Sequence, residues 1–88
     1  MLIITENNII NTEKVFALSI VARHNSYPEY KKTGYQLRAL HSGYVDDNGN
    51  ADYLLVKEYK LEEKNRADTD LGRIVKAYKN GEKIVDLR

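Results

Sequence analysis

The side chains that most often carry out acid–base or nucleophilic chemistry are sparse in this sequence. Two histidines, His24 and His41, and three serines, Ser19, Ser26 and Ser42, supply the residue types of a hydrolase. Their spacing matches neither a nucleophile elbow nor the chain order of a known Ser-His-Asp triad. We therefore predict no catalytic residues. A small enzyme stays open as an alternative that would need a pocket gathering a histidine and a carboxylate.

Metal and cofactor sites also lack their usual sequence patterns. Asp46, Asn48 and Asn50 fall at positions 1, 3 and 5 of the helix-loop-helix calcium motif. Position 6 is Ala51 instead of Gly, however, and position 12 is Lys57 instead of Glu. The chain has no cysteine, which excludes disulfides and thiolate zinc sites, and its five isolated glycines form no phosphate-binding loop. We predict no metal and no cofactor.

A stretch rich in basic residues and tyrosines is the candidate binding surface. Its residues are Arg23, Tyr27, Tyr30, Lys31, Lys32, Tyr35 and Arg38. Tyr and Arg are frequent anchors of protein interfaces, while basic residues interleaved with aromatic ones also bind phosphates and stack on bases. Three interpretations stay open: a solvated surface over a small core, a protein or self-association interface, and a nucleic-acid site. A net charge of +1 gives little steering toward nucleic acid, so that reading ranks last.

The elements that must position these residues are predicted as strands over the first two thirds of the chain. Residues 2–5 and 9–11 are short apolar runs around a polar turn, which is typical of a hairpin. Residues 15–22 are apolar on both faces, which predicts a central strand covered on both sides. Residues 35–45 and 53–61 form a second hairpin around Asn48-Gly49, with Gly43 marking a bulge.

The hydrophobic period changes after residue 61. A stripe with helical spacing predicts a helix over residues 62–79, and it consists of Ala67, Leu71, Ile74, Val75 and Tyr78. Asn80-Gly81 is expected to end the helix in a left-handed conformation, whereas Gly72 inside it marks either a close contact or a break. The apolar tail at residues 84–87 should dock on the body.

Length and composition limit the chain to a small body. At 88 residues with 42% hydrophobic residues, it is predicted to form a single domain over residues 1–88. We predict an α+β fold, with an antiparallel sheet of four to five strands packed against one C-terminal helix. The longest apolar run is eight residues, too short to cross a bilayer. We therefore expect a soluble, cytoplasmic protein with no membrane partner.

Three segments carry a resemblance to known proteins: residues 9–15 near the start, Lys57-Glu58-Tyr59 at the last strand, and residues 79–87 at the end. With these the chain resembles a loose group of small uncharacterised bacterial and phage proteins. The resemblance implies a short antiparallel sheet followed by one C-terminal helix, a glycine and an apolar tail. It carries over no catalytic residue, and it implies coding on a phage or other mobile element, where small inhibitors of host systems also occur.

One helix covers only part of a twisted sheet, so a second apolar face must find other cover. We therefore predict a non-enzymatic interaction or structural module that is a homo-oligomer or binds a protein partner. The alternatives are a small nucleic-acid-binding protein that uses the basic and tyrosine residues, and a small enzyme.

Overall fold

The chain forms two three-stranded sheets and one long helix. The computed structural model describes the backbone of residues 1–88 and the side chains of all of them except Ala51. The elements are β1 (Leu2–Ile4), β2 (Ile9–Asn11), β3 (Val15–His24), β4 (Lys32–Val45), β5 (Ala51–Lys60), α1 (Lys64–Lys79) and β6 (Ile84–Asp86). The α+β class is confirmed. The prediction of one sheet with four to five strands is wrong, because the structure has six strands in two separate sheets.

The smaller sheet has the order β2-β1-β6. β1 and β2 form the predicted hairpin, with Ile3 opposite Ile10, and β6 lies parallel to β1 with Ile3 opposite Val85. A parallel pair needs a long connection, which the larger sheet and α1 supply. The prediction that the tail docks is confirmed, since Val85 and Leu87 are buried. Three-residue strands carry too little alternation for the sequence to reveal this second sheet.

The larger sheet is an antiparallel meander with the order β3-β4-β5. The predicted second hairpin is present, Gly49 has a φ of 82°, and the register slips between His41 and Val45, around the expected bulge at Gly43. The prediction that residues 15–22 form a central strand is wrong, because β3 is an edge strand and β4 is central. The alternation of apolar residues indicates which faces of a strand are covered. It does not indicate whether the strand has one or two neighbouring strands in its sheet.

The core lies between α1, one face of the larger sheet and the smaller sheet. Its buried apolar residues are Ile3, Ile10, Leu37, Ala39, Val56, Tyr59, Ala67, Ile74, Ala77, Val85 and Leu87. The helix begins at Lys64 instead of residue 62, because Leu61–Glu63 forms a 3-10 turn in which Glu63 accepts a hydrogen bond from the Lys60 backbone N–H at 2.8 Å. At its other end Gly81 has a φ of 69°, as predicted. Gly72 remains inside an unbroken helix.

The buried side of α1 is offset from the predicted stripe. The residues that face the core are Ala67, Asp70, Ile74 and Ala77. Ala67 and Ala77 are small and allow the helix to approach the sheet closely. Asp70 contacts polar side chains of β5. Val75 and Tyr78 are consequently 41% and 68% exposed. No helix in the described part of the chain is long and apolar enough to cross a membrane.

Candidate interaction surface

The loop between β3 and β4, together with the first residue of β4, contains four of the predicted binding residues. Tyr27 and Tyr30 stack edge to face with their ring centroids 6.0 Å apart, and Lys31 and Lys32 follow them, all exposed. Asn25 holds the loop closed, since its backbone N–H donates to the Lys31 carbonyl at 2.9 Å and its Oδ1 accepts from the Lys31 N–H at 2.8 Å. The loop therefore presents an aromatic pair beside two ammonium groups.

The other three predicted residues lie elsewhere. Tyr35 is on the helix-covered face of β4, where the Lys64 Nζ lies 5.8 Å from its ring centroid. Arg23 and Arg38 are on the opposite face, and Arg23 forms an ion pair with Glu58 at 2.9 Å. The sequence-based candidates thus divide among a loop and two opposite sheet faces.

The face of the larger sheet that points away from α1 has no cover from any described residue. Cross-strand neighbours share a face, so the register identifies its members. They are Ala17, Ser19, Val21 and Arg23 of β3, Gln36, Arg38 and Leu40 of β4, and Tyr53, Leu55 and Glu58 of β5. All of them are half-buried or exposed. We call this surface the open face.

The charged groups of the open face are paired with one another. Glu58 Oε1 accepts hydrogen bonds from Arg23 and from the Gln36 side-chain amide, both at 2.9 Å. The Gln36 Oε1 in turn accepts from Arg38 at 2.6 and 2.9 Å, and the Arg38 guanidinium carbon lies 5.9 Å from the ring centroid of Tyr53. The face is therefore ordered, and its charges are largely matched internally.

An apolar groove of about 530 Å³ runs between β3 and α1. Its lining comprises Met1, Thr12, Val15, Phe16, Ala17, Leu18, Leu71, Ile74, Val75, Tyr78 and Lys79. Phe16 sits at the bulge between Val15 and Ala17, which turns its ring outward so that it is 67% exposed. Lys79 is the only charged side chain among the described residues of the lining. We call this surface the β3 groove; it suits an apolar occupant.

A buried polar cluster lies where β5, α1 and the C-terminal segment meet. The Tyr59 hydroxyl donates to Asp70 Oδ2 at 2.7 Å, and the Lys57 ammonium donates to the Leu87 carbonyl at 2.6 Å while lying 3.5 Å from Asp70 Oδ2. Burial raises the pKa of Tyr59 well above its ordinary value of 10.0, and the hydrogen bond to Asp70 raises it further. The Tyr59 hydroxyl proton is held in the hydrogen bond to Asp70. The cluster therefore links β5 to α1 and supplies no nucleophile.

The molecule thus exposes an open sheet face, an apolar groove and an aromatic loop. No family model, curated protein or solved structure matches this chain. Function is therefore inferred from the exposed chemistry of the chain itself.

The residues suited to acid–base or metal chemistry stay apart. His41 Nδ1 accepts a hydrogen bond from the Gly43 N–H at 2.9 Å, and its ring packs edge to face on Tyr44 with centroids 5.4 Å apart. Asp46 Oδ1 accepts from the backbone N–H of Asn48 at 2.9 Å within its own turn. Among the side chains that the structure describes, no three from His, Asp and Glu come together in a way that would hold a metal ion.

Sequence reasoning missed the β3 groove. The bulge at Phe16 is invisible in the alternation of a single strand. A signal was nevertheless present. The helix has more apolar residues than its buried side contains. The additional ones line the groove beside β3, and they are Leu71, Val75 and Tyr78.

Proposed function

We propose that this chain is a non-enzymatic interaction module that associates with itself. The observation that carries the proposal is the size of its exposed surface. The folded chain exposes 6162 Å², whereas a compact monomer of 10.2 kDa exposes about 5,300 Å². The excess, on the order of 850 Å², is close to the ~800 Å² that each partner contributes to a standard interface.

The shape of the molecule supports the same conclusion. It measures 45 × 35 × 20 Å, with a radius of gyration of 13.9 Å, whereas about 12 Å is expected for a compact domain of this length. The slab arises because α1 and the smaller sheet cover one side of the larger sheet only. A net charge of +1 brings little repulsion between copies. We also propose that residues 1–88 form a single domain and that the protein is cytoplasmic, as the sequence implies. Coding on a mobile element is proposed from the resemblance.

Solution mass tests self-association directly. Sedimentation velocity from about 1 µM to 1 mM should show a species near twice the chain mass of 10.2 kDa within this range. Standard-size interfaces often hold together at micromolar concentrations or below. A chain that sediments as a monomer throughout would refute self-association.

A second candidate function, nucleic-acid binding, is favoured by the loop between β3 and β4. Exposed Tyr27 and Tyr30 offer stacking surfaces beside Lys31 and Lys32. Binding of a labelled single-stranded oligonucleotide should then weaken as salt rises, and Lys31→Ala should reduce the log–log salt slope by about 0.7. Salt-independent or undetectable binding rejects this candidate.

A further inference from the structure

We propose that two copies of this chain pair through β3, antiparallel and with Ser19 at the two-fold axis, so that their larger sheets join into one sheet of six strands. This inference rests on the proposed self-association and names the surface that produces it. The unpaired edge of β3 and the β3 groove together form the interface.

The two edges of the larger sheet differ in how well they are protected. β5 carries Lys57, Glu58 and Lys60, a register shift lies beside Val56, and the Asn8 side chain donates to its Leu55 carbonyl at 3.4 Å. Charges, bulges and covering loops are the devices that keep an edge strand from pairing with another chain. The β5 edge is therefore protected against pairing with a strand of another chain.

The edge of β3 lacks most of these devices. Its residues 15–22 contain no charged side chain and no proline. Its second edge has no strand partner within the part of the chain that the structure describes. Its register shifts lie at its two ends, between Val15 and Ala17 and between Arg23 and His24, which leaves a regular stretch over residues 17–23. A long uncharged edge of this kind is a template for another strand.

The β3 groove fits the space that edge pairing would create. Joining two sheets at β3 places the two β4 strands three strand spacings apart, about 14 Å. α1 lies across β3, β4 and β5, so the two helices would be separated by more than the 8–10 Å of directly packed helices. Large side chains must fill that gap. Phe16, Val75 and Tyr78 are the exposed apolar side chains on that side.

The alternation of β3 selects the register. Residues opposite each other in an antiparallel pair share a face, so a two-fold axis must pass beside a residue, not between two. With Ser19 on the axis, Leu18 lies opposite Ile20 of the partner subunit, and Ala17 lies opposite Val21 of the partner subunit. Residues 16–22 then pair with the same residues of the second copy, and Arg23 lies beyond this uncharged stretch. An antiparallel pair of identical edges closes as a dimer and leaves no edge of β3 for a third copy.

Substitutions at exposed positions test the surface without touching the core. Phe16→Asp places a charge in the groove, and we expect it to raise the dimer dissociation constant at least about 30-fold, as for an interface hot spot. Tyr78→Asp, on the exposed side of α1, should act in the same way. Tyr27→Asp is the control, because its aromatic ring is also exposed but lies outside the β3 groove, and it should leave the constant unchanged. Circular dichroism verifies that each variant is folded.

Cysteine cross-linking tests the register, and the native chain contributes no cysteine of its own. Two residues opposite each other at the axis have Cα atoms about 4.5–5.5 Å apart, within the 4.4–6.8 Å of a disulfide. Ser19→Cys should therefore form a covalent dimer under mild oxidation. Val21→Cys, on the same face, would lie about 14 Å from its own copy and should remain monomeric on a denaturing gel.

The outcomes separate the inference from the proposed function. The inference stands if Phe16→Asp or Tyr78→Asp dissociates the dimer, Tyr27→Asp does not, and only Ser19→Cys cross-links. If both groove variants still form the dimer as tightly as the native chain, or if Val21→Cys cross-links, the β3 arrangement is overturned while self-association survives. Dissociation by Leu40→Lys alone would move the interface to the open face and also overturn it. A native monomer overturns both proposals.

Discussion

At the scale of single residues, Asp70 determines how the helix meets the sheet. The predicted apolar stripe does not include this carboxylate, yet it is only 5% exposed. The Tyr59 hydroxyl, the Lys57 ammonium and, at 3.7 Å, the Arg73 guanidinium surround it. Burying a charge is tolerated when it is paired and hydrogen-bonded. With Asp70 on the buried side of α1, Val75 and Tyr78 stay exposed.

Removal of the Tyr59 hydroxyl should destabilise the fold. Tyr59→Phe deletes a hydrogen bond to a buried carboxylate, and we expect the free energy of unfolding to fall by about 1.5–3 kcal/mol at neutral pH. Urea denaturation followed by circular dichroism measures the loss. Tyr30→Phe, at an exposed ring, is the matched control and should change the value by less than about 0.5 kcal/mol. Equal effects of the two substitutions would contradict the role assigned to the cluster.

The same hydroxyl makes stability fall at alkaline pH. The folded pKa of Tyr59 lies above the ordinary value of 10.0, so above that pH the unfolded chain releases a proton that the native state keeps. Its contribution is fully present below pH 10 and is lost as the pH rises beyond it. Native Tyr59 should stay protonated above pH 10 in an ultraviolet titration. In Tyr59→Phe this late-titrating phenol should disappear; its persistence would exclude Tyr59 as the source.

Arg88 should control the titration of Asp86. The Arg88 side chain and its backbone N–H donate to the Asp86 carboxylate at 2.9–3.3 Å, and they lower the pKa of Asp86 to about 2 from its ordinary 3.8. The stabilisation is present above pH 3.8 and is lost as the pH falls toward 2. In Arg88→Ala the backbone donor remains, so the pKa should rise only part of the way. Carboxyl ¹³C chemical shifts measure it, and Arg23→Ala should leave it unmoved.

At the scale of elements, two glycines have opposite roles. A Cβ on Gly34 would lie 2.5 Å from the Tyr59 carbonyl oxygen, whereas one on Gly72 would meet no described atom within 4 Å. Gly34→Ala should therefore destabilise the fold by about 1–3 kcal/mol, because two strand backbones must separate. Gly72→Ala should stabilise it by roughly 0.5–1 kcal/mol through helix propensity. Denaturant midpoints compare the pair, and a stabilising Gly34→Ala would show that β4 and β5 lie farther apart.

Local signals in the sequence predict the helices, strands and turns well. They do not predict which strands pair when those strands are far apart in the chain. Asn48-Gly49 predicts its hairpin and Gly81 the end of α1, because both depend on backbone conformations that neighbouring residues decide. The separate β2-β1-β6 sheet depends on pairings between strands far apart in the chain, which single-sequence patterns do not encode. The position of β3 at an edge is another such choice.

The candidate surface shows the same division. Tyr27, Tyr30, Lys31 and Lys32 come together because they follow one another in a loop. Tyr35 separates from Arg38 because three residues along a strand is an odd number, which puts the two side chains on opposite faces. That separation was available from the sequence once the strand was assigned. The β3 groove was not, since it depends on a bulge and on the orientation of α1.

At the scale of the whole molecule, stability and association should be coupled. The edge of β3 and the β3 groove have no cover from the described residues, so part of the apolar burial that holds the fold would come from the second copy. For a small chain, whose own core leaves a thin margin, such added burial is a large share of the total. A folded dimer in equilibrium with unfolded monomers becomes more stable as concentration rises, by mass action.

Thermal unfolding should therefore depend on protein concentration. For a dimer of an 88-residue chain, each tenfold increase should raise the midpoint by about 4 °C, since a factor of ten corresponds to about 1.4 kcal/mol spread over the unfolding entropy of both chains. Scanning calorimetry over a hundredfold range measures the slope. Phe16→Asp should reduce the slope and Tyr27→Asp should preserve it. A midpoint that stays constant in the native chain would mean that the second copy contributes nothing to its folding.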